Sequence, residues 1–368
     1  MFVVAIDSPD RPSTELAPAV AALDPLGNAD RVEKWSDGRC QVVRAITYNT
    51  AESKRLEAVA TDPVTGNVAI VWARLDDRAN LQRALGDALD SWPSPTDADL
   101  VLAAHRKWGD RAPEKLTGAF AYVIWNPESQ NVFVARDQLG FKPLFYYHDN
   151  QRLIIATTAA VFPTISDLPL EVDDEWMSWF IARASMTVDR TAWSNVRKLP
   201  RGHLLRSTGE AAPRIAQYHE FVDDSPPAKE RSNEWVDAYR SILDDAVRDR
   251  IRTDYPLGCE TSGGIDSSTC LAFAARDWDG PIEDIHTFGN IGCEHEPDFI
   301  YETSRAFGIV NDHIGTRGEF DRWETDASLD ILGYPEEHGM GTTHVHFYLR
   351  AQENKVRTLL SASVATKS

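Results

Sequence analysis

Cysteine is scarce: Cys40, Cys259, Cys270 and Cys293 are the four in 368 residues, too few to staple a chain of this length and without the paired spacing of a metal site. Buried thiols are expected. Long apolar runs are also missing, since none approaches the ~20 residues that cross a bilayer, so no membrane role is expected. The opening stretch Met1 to Asp7 is apolar but short and has no basic start, so it reads as a first buried strand rather than a secretory signal. A cytoplasmic address follows. Positive charge is in deficit, 38 Lys and Arg against 57 Asp and Glu for a net of −19. That excludes nucleic acid as a partner, because phosphate binding draws its affinity from a dense cationic patch and the counterions it releases. Internal repeats and low-complexity tracts are absent as well.

What remains is ordinary globular material, 42% hydrophobic and 26% charged, in a chain longer than one core usually serves, so two domains are expected. The eleven tryptophans are scattered, which suits core packing better than a base-stacking platform. The clearest seam is Asp223 to Arg231, polar with consecutive prolines at Pro226 and Pro227. It divides the chain into residues 1–222, a linker at 223–231, and residues 232–368. Before the linker, Asn67 to Val71, Ala119 to Trp125, Asn131 to Ala135 and Leu144 to Tyr147 are rich in β-branched and aromatic residues and predict strands. Asp77 to Leu89 and Asp97 to Trp108 have helical periodicity, the second behind a capping sequence Ser94-Pro95-Thr96. After the linker, Trp235, Tyr239, Ile242, Leu243, Ala246, Val247 and Arg250 form a helical stripe, with Ser232 or Asn233 as N-cap. From Tyr255 the order becomes strand, glycine-rich turn, helix, strand, helix, the pattern of a parallel sheet covered on both faces.

The turn in that pattern is Ser262-Gly263-Gly264-Ile265-Asp266-Ser267-Ser268, opening on an apolar helix. Paired glycines let backbone approach a ligand with no Cβ in the way, and N–H groups at a helix start favour phosphate. Asp266 would repel that phosphate unless a divalent cation lay between them, so Mg2+ is implied. The string resembles the pyrophosphate-binding loop of the asparagine synthetase superfamily, Ser-Gly-Gly-Leu-Asp-Ser-Ser, with Ile265 in place of Leu. Gly118 to Trp125, Ala135 to Tyr147 with its Arg-Asp-x-x-Gly-x-x-Pro-Leu pattern, and Val196 to His203 followed by Tyr218 resemble further segments of that family in its own order, from about Val42 to Leu360.

The resemblance implies an α+β front domain, a glutaminase-like sandwich of two antiparallel sheets between helices, then a truncated α/β parallel-sheet synthetase domain. It also implies use of ATP and Mg2+ to activate a carboxylate as an acyl-adenylate for capture by an amine. Carried over position by position, Thr261, Ser262, Gly263, Gly264, Asp266, Ser267, Ser268, Asn290 and Ser361 are candidates for nucleotide binding. Asp266 is the candidate for metal, and the strand end from His286 to Asn290 is expected near the adenosine. The substrates implied are a small-molecule or peptide carboxylate and an amine acceptor, with a homodimer or partner biosynthetic proteins as the expected assemblies.

The glutamine-dependent members carry a cysteine directly after the initiator methionine; here Phe2 stands there. Trp72-Ala73 align with the family's Asn-Gly oxyanion pair, and loss of one such donor typically costs ~3 kcal/mol. Asp97 matches the aspartate that grips the glutamine amine, or else serves as a helix cap. The front domain therefore resembles those of β-lactam synthetases and lasso-peptide macrolactam cyclases, which use an amine already on the substrate. A glutamine-hydrolysing asparagine synthetase and an inactive truncated scaffold are the alternatives.

Members of the family continue well beyond this length, through a second pyrophosphate motif. Here Asn354 to Ser361 fits the lead-in strand and Ala362 to Ser368 departs. Deleting one base from codons for Ser-Gly-Phe-Gly-Gly-Asp-Gln-Val yields Ser-Ala-Ser-Val-Ala-Thr-Lys-Ser, so a frameshift product is expected, with a shortened paralogue as the rival. ATP and Mg2+ binding by this chain alone should be weaker than micromolar, with little turnover. Among weaker signals, His344-x-His346 falls in a segment of helical appearance that separates the two rings. Tyr334 to Glu337 resembles a segment near the family's acceptor pocket, and Glu296 serves either function or a helix cap.

Overall fold

The computed structural model describes residues 1–182, 188–208, 212–221, 233–290, 296–314 and 349–361. The predicted linker, the His344-x-His346 pair, Tyr334 to Glu337, Cys293 and the tail after Ser361 lie outside the described residues. In the front domain the elements are β1 (Phe2–Asp7), α1 (Ala19–Leu23), β2 (Arg31–Ser36), β3 (Cys40–Ile46), β4 (Ala60–Thr61), β5 (Val68–Leu75), α2 (Arg78–Leu85), α3 (Asp97–Trp108) and α4 (Ala112–Lys115). They continue with β6 (Gly118–Asn126), β7 (Asn131–Arg136), β8 (Phe145–His148), β9 (Arg152–Ala156), α5 (Asp174–Ala182), β10 (Val196–Lys198), β11 (His203–Ser207) and β12 (Arg214–Gln217).

The strands form two six-stranded sheets, ordered β10-β8-β9-β1-β3-β2 and β12-β11-β7-β6-β5-β4, antiparallel throughout. Phe2, Val4, Ile6 and Val42 of the first sheet pack against Ile70, Val123, Trp125 and Val134 of the second, making one apolar layer between them. The outer face of the second sheet is covered by α2 and α3 and that of the first by α1 and the turn at Ala159–Thr164. Strands buried on both faces explain why β1 and β6 read as nearly unbroken apolar runs. This is the expected helix–sheet–sheet–helix sandwich.

Some boundaries differ from the sequence reading. β5 runs four residues past Val71, because Trp72 to Leu75 pair with Ala121 to Gly118. The predicted helix at 77–89 breaks at Gly86, whose φ of 53° ends α2 and opens a short 3-10 turn. At α3, Thr96 is the N-cap and forms a reciprocal capping box with Asp99, so Asp97 is not the cap.

The second domain comprises α6 (Asn233–Arg250), β13 (Leu257–Glu260), α7 (Ile265–Asp277), β14 (Ile285–Asn290), α8 (Glu296–Phe307), β15 (Val310–Ile314) and β16 (Thr358–Leu360). Its four strands are parallel in the order β15-β14-β13-β16, as predicted. The α6 stripe is only partly a core face: Val247 and Leu243 pack into the sheet, whereas Trp235, Tyr239 and Ile242 are exposed. Cys40 and Cys259 are buried, as expected of structural thiols, but Cys270 is only half-buried. Among the described residues no helix is long and apolar enough to cross a membrane.

Candidate functional site

Two places concentrate chemistry. The first is the Ser262–Ser268 turn, which joins the central strand β13 to the start of α7 at the C-terminal edge of the parallel sheet, where open α/β sheets carry their ligands. Gly258, on the strand leading in, has no room for a Cβ: one would stand 2.7 Å from Leu359 Cδ1 and 2.9 Å from Phe288 Cε2. The chain then bends at Gly263, whose φ of 74° belongs to the left-handed region.

Ser267 is the brace of the turn. Its Oγ accepts from Ser262 N at 3.2 Å, lies 3.1 Å from Ser262 Oγ and donates to Gly264 O at 3.3 Å. Ser262 Oγ also accepts from Gly264 N at 3.4 Å. The first turn of α7 receives no side-chain cap, so its leading N–H groups have the geometry of an anion site. Thr261 is buried, and its Oγ1 has no hydrogen-bond partner; such a group needs an explanation, and its place at the mouth of the turn suits a ligand oxygen. Ser262 and Asp266 are exposed, and Asp266 makes no ion pair among the described residues. A lone carboxylate fits a cation otherwise held by phosphate oxygens and water, and no cluster of three metal-ligating side chains occurs among the described residues.

Of the other predicted residues, Ser268 Oγ lies 3.5 Å from Thr303 Oγ1 on α8, and Ser361, just past β16, hydrogen-bonds Glu260 on β13. Asn290 closes β14, pairing with Ile314. Sequence reasoning therefore gathered residues that the fold brings to one edge of one sheet.

The second place is a cavity of about 310 Å³ between the two domains. Its wall includes Met1, Arg44, Glu52, Trp72, Arg74, Asp97, Lys142, Arg252 and Arg357. Phe2 points instead into the layer between the sheets and is fully buried. Trp72 and Ala73 sit inside the β5–β6 ladder. Asp97 is consumed within the fold: one carboxylate oxygen takes Arg78 and the other accepts from Leu75 N at 3.1 Å.

The Arg-Asp-x-x-Gly-x-x-Pro-Leu segment proves to be a scaffold for this wall. Asp137 accepts from the backbone of Leu139, Phe141 and Lys142 at 3.1, 2.9 and 3.0 Å, and Arg136 donates to the carbonyls of Lys142, Leu199 and Gly140 at 2.9, 2.7 and 2.7 Å. These bonds fix the Lys142 backbone, and its Nζ lies 4.1 Å from the centroid of the Trp72 indole. Burial brings its pKa down to about 8, against Asp137, which raises it, and with Arg250 and Arg74, which lower it further.

Arg74 reaches across the boundary and donates to the carbonyls of Asp249, Arg250 and Arg252 at 3.2, 2.6 and 2.8 Å, capping the C-terminal end of α6. Burial, then Arg252 and Arg250, lower it to about 10. Burial likewise brings Arg44 to about 10; its partners are the carbonyls of Glu57 and Val71, both at 2.6 Å. None of these cations was singled out in the sequence. A lysine inside the Arg-Asp-x-x-Gly-x-x-Pro-Leu pattern was the one available signal.

Residues 74–219 match the model of a glutamine amidotransferase domain, and residues 238–361 match the asparagine synthase model. The glutamine-hydrolyzing asparagine synthetase 1 of Bacillus subtilis (strain 168) is 28% identical over 220 residues, 59% of this chain and 34% of that protein. Amidase chry2 of Gibberella zeae is 29% identical over 218 residues, 58% of this chain and 32% of that one. The match thus spans about a third of the length of these relatives. Among solved structures, the B. subtilis glutamine phosphoribosylpyrophosphate amidotransferase complexed with ADP and GMP covers 99% of this chain and 91% of its own at 12% identity and a TM-score of 0.42, too slight a likeness to carry an argument. The chain thus matches a glutamine amidotransferase domain followed by an asparagine synthase domain, and its similar relatives include proteins named asparagine synthetases and amidases.

Proposed function

We propose that the chain belongs to an ATP-dependent ligase that activates a carboxylate as an acyl-adenylate and forms an amide with an amine other than glutamine-derived ammonia, as in lactam or lasso-peptide ring closure. The observation that carries the ligase reading is the Ser262–Ser268 turn between β13 and α7, with uncapped N–H groups and the partnerless Thr261 hydroxyl. In this reading the amides of Gly263 to Asp266 and the hydroxyls of Thr261 and Ser262 hold the polyphosphate, and Ser267 keeps the turn in shape. Asp266 would hold Mg2+, which when bound supplies charge neutralisation between phosphate oxygens.

The front domain supports this reading of the amine source. Its cavity wall contains no thiol, Phe2 faces the core, and Asp97 is tied to Arg78 and Leu75. The wall therefore offers no thiolate to attack an amide, and Asp97 is not free to take the ammonium of an amino acid. The two halves have separate tests. MgATP at about 1 mM, followed by 31P NMR, should show Mg2+-dependent broadening that Asp266→Asn weakens at least about tenfold, the scale of one charge-assisted contact. Broadening indifferent to Asp266 refutes the nucleotide site. Glutamine labelled at its side-chain amide should release no ammonia, and steady release would overturn the amine assignment.

A further inference from the structure

We propose that the interdomain cavity binds a small organic carboxylate that carries no ammonium group, held by Lys142 and Arg74 beside the Trp72 indole. The charge balance of the wall points to an anion. Five cationic side chains line it, Arg44, Arg74, Lys142, Arg252 and Arg357, against two carboxylates, Glu52 and Asp97. Both carboxylates are spent, Glu52 on Arg252 at 3.2 Å and Asp97 on Arg78 and Leu75 N, so neither is left to pair with a ligand ammonium.

Two donors are left over. Arg74 Nε is buried without a partner, and Lys142 Nζ makes no ion pair among the described residues, resting only against the Trp72 ring. The backbone that carries Lys142 is fixed, its N–H to Asp137 at 3.0 Å and its carbonyl to Arg136 at 2.9 Å. A cation without an ion-pair partner inside a cavity is costly, and a ligand carboxylate would satisfy it. The apolar part of the wall, with Ile46, Leu56, Val71 and Trp72, suits a short apolar chain, and Thr47, Asn49, Thr50 and Ser53 add polar groups. The volume lies at the small end of the ~300–1,000 Å³ typical of ligand pockets.

Glutarate and glutamate differ by one ammonium group and serve as probes in isothermal titration of the whole chain. Saturable glutarate binding is expected at pH 7, with glutamate at least about tenfold weaker; Lys142→Gln should cost glutarate at least about tenfold and Lys142→Arg should restore most of it. Lys142 faces Asp137 on its own turn, Arg74 on β5, Arg250 on α6 and the Met1 amine ahead of β1, which burial lowers to about 4 and so leaves neutral across this range. Binding to the unaltered protein should therefore fall between pH 7 and 10 as the ammonium loses its proton, a readout that holds even if Lys142→Gln does not fold. Absence of saturable binding up to about 20 mM glutarate, far above the affinity of any specific small-ligand site, overturns the proposal. So does equal binding of glutamate, a flat pH profile, or indifference to Lys142→Gln in a folded variant.

Discussion

Replacing Lys142 with methionine should make the front domain more stable at neutral pH, against the usual direction of a substitution at a half-buried position. The ammonium ordinarily holds its proton up to about 10.5, and in the fold only to about 8. At 1.36 kcal/mol for each pH unit between those values, keeping it charged costs the folded state about 3 kcal/mol at pH 7. Its contact with Trp72 at 4.1 Å returns ~1–2 kcal/mol, and methionine preserves most of the stem. The net expectation is a gain of ~1–2 kcal/mol. The sign also sets the pH window. Below pH 8 both folded and unfolded chains hold the proton and the cost is complete. From pH 8 to 10.5 the folded chain gives it up first, so the stability of the unaltered protein rises with pH and the advantage of the variant shrinks to nothing. Urea unfolding of the two proteins at pH 7, 9 and 10.5, with the front-domain transition read by tryptophan fluorescence, measures this. A variant less stable at pH 7, or a difference that does not change with pH, would refute the account of Lys142 as an unsatisfied cation.

Gly118→Ala should cost more than ~3 kcal/mol, because φ is 126° and a Cβ would stand 2.4 Å from the Arg74 carbonyl oxygen; a loss under ~1 kcal/mol in urea unfolding contradicts the register of β5 and β6. Arg74→Ala should loosen the domain boundary. The amides of Asp77 and Asp254, which cross it to Asp249 at 2.8 Å and Asn49 at 2.9 Å, should exchange at least about tenfold faster, and unchanged exchange would show that Arg74 does not hold the domains. Thr96→Ala should cost ~1 kcal/mol through loss of the capping box on α3, with no effect on glutarate binding. A larger loss would assign Thr96 some role beyond the cap.

What could be read in the sequence was whatever is local along the chain. The Ser262–Ser268 turn is one contiguous string, and the strand before it and helix after it carry their own periodicities, so its place on the sheet edge was legible. The same holds for Thr96, whose capping box spans four residues. The cavity was not legible, because its wall is assembled from separated segments that meet only after the sheets pack and α6 docks. The end of β5 was missed for a related reason: Trp72 to Leu75 belong to a strand because of their pairing with Gly118 to Ala121, not because of their own composition. The α6 stripe misled in the other direction, since helical spacing shows which residues share a face and not what covers it; Tyr239 and Ile242 remain 68% and 70% exposed.

The proposed nucleotide site of the second domain requires the Ser262–Ser268 turn to grip polyphosphate, and amide shift mapping with magnesium pyrophosphate tests that most directly. The account predicts the largest shifts at Gly263, Gly264, Ile265 and Asp266, smaller ones at Thr261 and Ser361, and their disappearance when magnesium is chelated. Saturable pyrophosphate binding with those amides unmoved, or with the largest shifts lining the interdomain cavity instead, would contradict it.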